Sequence, residues 1–114
     1  MFHMISCFNL KPEESIQAFQ TAYEAFVTQM IDNDMVISTG KIGQRQNDTP
    51  MDTDDERDHE YFVVMSFRDR PQVDLAYEHI MKHVEPGEAA HDSVYTKVAD
   101  PVFICWEDLP TGNG

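Results

Sequence analysis

The stretch His59-Glu60-Tyr61-Phe62-Val63-Val64-Met65-Ser66-Phe67 decides how the rest of this chain is read. Aromatic and β-branched residues fill it, it holds no Gly or Pro, and charged or turn-forming residues bound it on both sides. Such a run is a strand. Alternate positions fall into two sets: Tyr61, Val63, Met65 and Phe67 on one side, Phe62, Val64 and Ser66 on the other. Both sets are mostly apolar, so the strand is expected at the centre of a sheet and covered on both faces.

Upstream, residues 2–10 alternate well enough to form a first strand. Lys11-Pro12-Glu13-Glu14 then reads as a helix opening, with proline suited to the first helical position and carboxylates near the positive end of the dipole. Ile16, Phe19, Tyr23, Phe26, Val27 and Met30 recur at spacings of three and four, one apolar face of a long helix. Asp32-Asn33-Asp34 ends it, with Asn33 suited to a left-handed cap. Residues 35–46 form a weaker second strand. Gly40 and Gly43 point to a bulge there, and Lys41 and Arg45 to an edge position. Residues 47–58, polar and acidic without apolar period, are expected as a mobile hairpin loop.

Downstream, Arg68-Asp69-Arg70-Pro71 starts another helix, with Val73, Ala76, Tyr77, Ile80 and Val84 as its buried stripe and Pro86-Gly87 as its break. A shorter helical segment covers residues 88–98, with His91, Val94, Tyr95 and Val98 on one face. Asp100-Pro101 stops it, residues 102–106 make the last strand, and residues 109–114 form a loose tail.

The resulting order is β-α-β-β-α-β with the second helix broken in two. This is the α+β, ferredoxin-like sandwich: a four-stranded antiparallel sheet with its helices on one face. The first, third and last strands carry large apolar side chains on both parities, yet helices cover only one side. A bare face would exceed the apolar patch that soluble monomers tolerate, so a second copy is expected to pack against it, sheet to sheet, as a homodimer.

Element order, length and the two-sided sheet resemble the dimeric α+β barrel group of ferredoxin-like proteins, and within it a small uncharacterised bacterial family. The likeness rests on Phe8-Asn9-Leu10-Lys11-Pro12, Lys41-Ile42-Gly43, His91 before the last strand, and Trp106-Glu107-Asp108-Leu109-Pro110. It spans nearly the whole chain, with residues 47–58 longer than the family pattern. The resemblance implies a homodimer of unknown function. The wider group includes cofactor-independent monooxygenases, haem-degrading enzymes and ligand-binding stress proteins, so fold alone selects no chemistry.

A chain of 114 residues with 41% hydrophobic content is one ordinary globular domain, but its formal net charge of -13 is not ordinary. Eight Lys and Arg against 21 Asp and Glu leave no basic surface for nucleic acid or anionic membrane. The acidity reads as solubility. Residues 1–10 show no leader pattern, and no run is long enough to span a bilayer. Cys7 and Cys105, far apart and outside any C-x-x-C, read as buried reduced thiols, so a cytoplasmic location is expected.

His91 and Tyr95 are the candidate catalytic pair. His91 shares the apolar face of its segment, so its imidazole points toward the sheet, where it could move a proton near neutral pH while the Tyr95 hydroxyl orients a ligand. The plainer alternative is a core histidine held by one hydrogen bond. His79 and His83 have a metal-pairing spacing, but Ile80 stands where a zincin has Glu, and a solvated helix face is the better reading. In the acidic run, starting a calcium loop at Asp48 or Asp52 puts Thr53 or Arg57 at the obligatory Gly, so no calcium site is expected. His3 and His59 both fall near strand starts and could lie close together. Trp106 reads as core or interface. Neither cysteine has a cationic neighbour in sequence to activate it, and no glycine-rich phosphate loop is present. No metal or cofactor is implied. Two functions stay open: a dimeric module binding a small apolar molecule, and a cofactor-independent monooxygenase or isomerase acting on an aromatic or enolisable substrate through His91 and Tyr95.

Overall fold

The computed structural model describes residues 1–82 and 87–110. Its elements run β1 (Phe2–Leu10), α1 (Ile16–Asp32), β2 (Ser38–Thr39), β3 (Gly43–Gln44), β4 (Tyr61–Phe67), α2 (Arg70–Met81), α3 (Gly87–Tyr95) and β5 (Val98–Glu107). The antiparallel sheet has strand order β2-β4-β1-β5, with β3 also paired to β4. The stretch that anchored the sequence reading is thus an interior strand. The expected second strand becomes two short pieces along one edge of β4, making the sheet five-stranded. Between them Gly40 N–H still reaches Val64 O at 2.8 Å, so the edge stays attached through its interruption.

Register assigns the two faces. Phe2 pairs with Phe67, Met4 with Met65 and Phe8 with Tyr61, and these side chains point to the helices. Val63, Met65 and Phe67 are buried there against Phe19, Phe26 and Met30 of α1, the stripe its spacing marked out. His3, Ile5 and Cys7 point the other way, beside Phe62, Val64 and Ser66 of β4 and Val102, Ile104 and Trp106 of β5. Among the described residues no helix covers that face. Ile104 is 52% exposed and Trp106 42%, in a strand otherwise rich in apolar residues.

Several boundaries differ from expectation, each for a local reason. Ser15, not Pro12, begins α1: its hydroxyl accepts from Ala18 N–H at 3.1 Å, while Glu14 instead meets Lys97 Nζ at 3.4 Å. At the far end Asn33 stays at φ -96° and Asp34 takes the left-handed turn at φ 57°. On α2 the expected stripe holds at Ala76, Val73 and Ile80, but Tyr77 is exposed. Gln72 is buried in its place, donating to Asp34 O at 2.9 Å and accepting from Arg68 N–H at 2.7 Å. Val84 lies outside the described residues.

The segment expected to stay helical through Val98 leaves the helix after Tyr95, and β5 begins at Val98. Asp100-Pro101, expected to end the helical segment ahead of the strand, instead lies inside β5. The register slips between Cys7 and Asn9, and Asp100 adopts φ 54°, so the proline without an N–H sits in a bulge of a continuing ladder.

Candidate functional site

Helix α3 sets His91 and Tyr95 one turn apart, and their rings touch with centroids 4.3 Å apart. Phe26 of α1 meets His91 edge-on at 5.6 Å, and Phe103 of β5 faces Tyr95 at 6.0 Å. The two residues singled out in the sequence are therefore brought together between helix and sheet. His91 Nδ1 lies 3.9 Å from Asp92 Oδ1. Burial, with Tyr23 nearby as a lesser cause, pushes the Tyr95 phenol up to about 12, so at neutral pH it acts only as a protonated hydrogen-bonding group.

The space beside Tyr95 is small. A cavity of about 20 Å³ lies among Ser6, Phe8, Phe19, Tyr95, Val98 and Phe103, enough for about one water molecule. With α3 seated as it is, no aromatic substrate fits.

A second histidine cluster escaped the sequence reading. His3 Nε2 lies 2.9 Å from Asp108 Oδ1, and its Nδ1 lies 2.8 Å from Ser66 Oγ. The carboxylate can only accept, so Nε2 donates to it, and in the neutral ring Nδ1 accepts from the Ser66 hydroxyl. Trp106 lies over the imidazole at 5.1 Å. The His3 hydrogen bond, aided by the terminal amino group, holds the Asp108 carboxyl below its ordinary range. His59 is nowhere near: antiparallel pairing puts the starts of β1 and β4 at opposite ends, and its Nε2 donates to Asp100 O at 2.8 Å. Among the described residues the buried Nδ1 of His59 has no hydrogen-bond partner.

The acidic segment 47–58 is cross-linked by one guanidinium. Arg45 donates to both carboxylate oxygens of Asp52, at 2.7 and 2.8 Å, to Asp54 O at 2.6 Å and to Arg57 O. Arg57 in turn holds the Asp54 carboxyl down at about 2. Among the described residues no three His, Cys, Asp or Glu converge to hold a metal, and His83, the proposed companion of His79, lies outside them.

Cys7 and Cys105 are both free. They are not neighbours: Cys7 pairs with Val102 and Cys105 with Met4, so they leave opposite faces of the sheet. Cys105 is exposed, against the expectation that both were buried, because it sits on the outermost strand. Burial pushes the Cys7 thiol up, with Arg57 opposing, which leaves it protonated and weakly nucleophilic.

The Arabidopsis thaliana protein At3g17210 superposes with a TM-score of 0.72 at 7% identity, over 98% of this chain and 99% of its own. The fold is ferredoxin-like. SnoaB, a cofactor-independent oxygenase from Streptomyces nogalater, gives a TM-score of 0.66 at 8% identity, covering 99% of this chain and 97% of that one. A dimeric ferredoxin-like protein of unknown function from Jannaschia gives 0.64 at 14% identity, covering 94% and 98%. No protein-family model and no curated protein matches the sequence. At these identities the shared property is the ferredoxin-like α+β architecture, which the sequence order had indicated. Among the described residues no helix is long and apolar enough to cross a membrane.

Proposed function

We propose that the protein works as a homodimer, two copies packed sheet to sheet, that serves as a binding module for a small apolar molecule. The observation carrying this is the sheet face where Ile5, Val64, Val102, Ile104 and Trp106 lie together, with no helix over them among the described residues. The dimeric state of the Jannaschia neighbour agrees with it. Placing a charge at the centre of this face tests it. Light scattering should find twice the chain mass for the natural sequence and a single chain for Ile104→Asp, whereas a natural protein that stays single at micromolar concentration would sink the proposal.

The apolar ligand would enter beside Tyr95, lifting α3 from β5, because the space there admits about one water otherwise. A hydrophobic dye that binds saturably and is displaced on Tyr95→Trp substitution supports that seat. Equal binding by both proteins counts against it.

A second reading is favoured by the contact of His91 with Tyr95 and by the likeness to SnoaB. In a cofactor-independent monooxygenase or isomerase, His91 takes a proton from an enolisable carbon and the Tyr95 hydroxyl donates to the oxyanion that forms. Oxygen consumption with an electron-rich quinol, abolished in His91→Ala, would favour the enzyme. Absence of turnover leaves the binding module.

A further inference from the structure

One face of α1 and the strand connection beside it enclose a cleft that neither reading uses. Its volume is about 500 Å³, within the range of roughly 300–1,000 Å³ typical of small-molecule sites. One wall is the stripe Gln20, Tyr23, Glu24, Val27, Thr28 and Ile31, residues that recur at the helical period. The other is the run Thr39-Gly40-Lys41-Ile42 joining β2 to β3.

The floor is apolar and firmly built. Val27 is buried in the core, Ile42 packs against the core, and Ile31, also lining the cleft, is 41% exposed. The Tyr23 hydroxyl is tied to Thr39 Oγ1 at 2.7 Å, which fixes helix to strand across the base. Two charges of opposite sign stand on the opposing walls, Glu24 on α1 and Lys41 on the β2–β3 connection, both on exposed residues.

Lys41 stands apart from most cations of this chain. Each arginine has a carboxylate partner, as do Lys82 and Lys97. Among the described residues neither Lys41 nor Glu24 forms an ion pair, with each other or with any other group. An ammonium left unpaired in a chain of net charge -13, beside an apolar floor and a carboxylate, is complementary to a ligand carrying both charges.

We infer that this cleft seats a small zwitterion with an apolar body, of the branched or aromatic α-amino acid class. Lys41 takes the carboxylate, Glu24 takes the ammonium, and Val27, Ile31 and Ile42 receive the side chain. The seat lies on the flank of α1 that faces the β2–β3 connection. It shares Tyr23 with the Tyr95 cavity, but its charged and apolar contacts lie outside that cavity and off the bare sheet face, so it does not depend on dimerisation or on α3 moving.

Calorimetric titration of the full chain with L-leucine and L-phenylalanine tests the assignment. Expected is saturable binding of the zwitterion, weakened about tenfold in N-acetyl-phenylalanine, which lacks the ammonium, and in phenylalanine amide, which lacks the carboxylate. Glycine, without an apolar body, should not bind. Lys41→Met should make the zwitterion no better than the amide, and Glu24→Gln no better than the N-acetyl compound. Both residues are exposed, and unchanged thermal melts would show that the variants fold. No saturable binding of either amino acid overturns the inference. So does equal affinity for the single-charge analogues, or binding that survives both substitutions unchanged.

Discussion

His3 Nε2 lies 2.9 Å from Asp108 Oδ1, joining the first strand to the residue just after the last. The same aspartate faces the terminal amino group at 3.6 Å, and its N–H donates to Met1 O at 2.9 Å. The start of β1 and the residue following β5 are therefore fastened together beside the bare sheet face. The depressed Asp108 pKa makes this fastening pH-dependent. A lowered folded-state pKa contributes stability above the ordinary value of 3.8, and that stability is lost as pH falls through the folded value. Melting curves of the natural protein and Asp108→Asn should thus differ at neutral pH, the variant melting lower, and converge in strong acid.

The Arg45 clasp predicts protection in a segment that composition alone marks as loose. Arg45→Met should speed amide exchange throughout residues 47–58 while leaving β4 and α1 protected. Because Arg57 holds Asp54 at about 2, its share of the clasp is fully present above 3.8 and lost only as pH falls through about 2. Exchange measured down a pH series would show this, and loop exchange already fast at neutral pH in the natural protein would contradict it.

Gln72 is a buried polar tie between two turns. Gln72→Leu leaves Asp34 O and Arg68 N–H without their partner, a cost of about 1–3 kcal/mol for buried unsatisfied groups. Urea denaturation should report that loss as a lower midpoint with an unchanged slope.

Ser15→Ala removes the α1 cap and should cost about 1 kcal/mol. Pro12→Ala serves as the control, since Pro12 is exposed and precedes the helix. A larger loss from Pro12→Ala than from Ser15→Ala in denaturation would contradict a helix start at Ser15.

What could be read without coordinates depended on periodicity. The stripe from Ile16 to Met30 is legible because a helical face repeats whatever lies opposite it. The two apolar parities of β4 are legible because strand faces alternate. From these came the element order, the interior place of β4 and the sheet face left without helices. Boundaries were less legible where two local signals competed. Pro12 and Ser15 both begin helices, and Val98 suits either the last turn of α3 or the first position of β5.

The site contacts fell on both sides of that line. His91 and Tyr95 met because residues four apart on one helix share a face, a relation already present in the sequence. The pairing of His3 with Ser66 and Asp108, the reach of Arg45 over its acidic loop, and the facing of Lys41 and Glu24 across one cleft had no such signal. Each joins residues brought together by strand register or chain reversal. A shift of one residue in strand pairing would send every side chain to the opposite face. Local repetition along the chain therefore determined the elements and their apolar faces, while packing among distant segments alone decided which polar groups would meet.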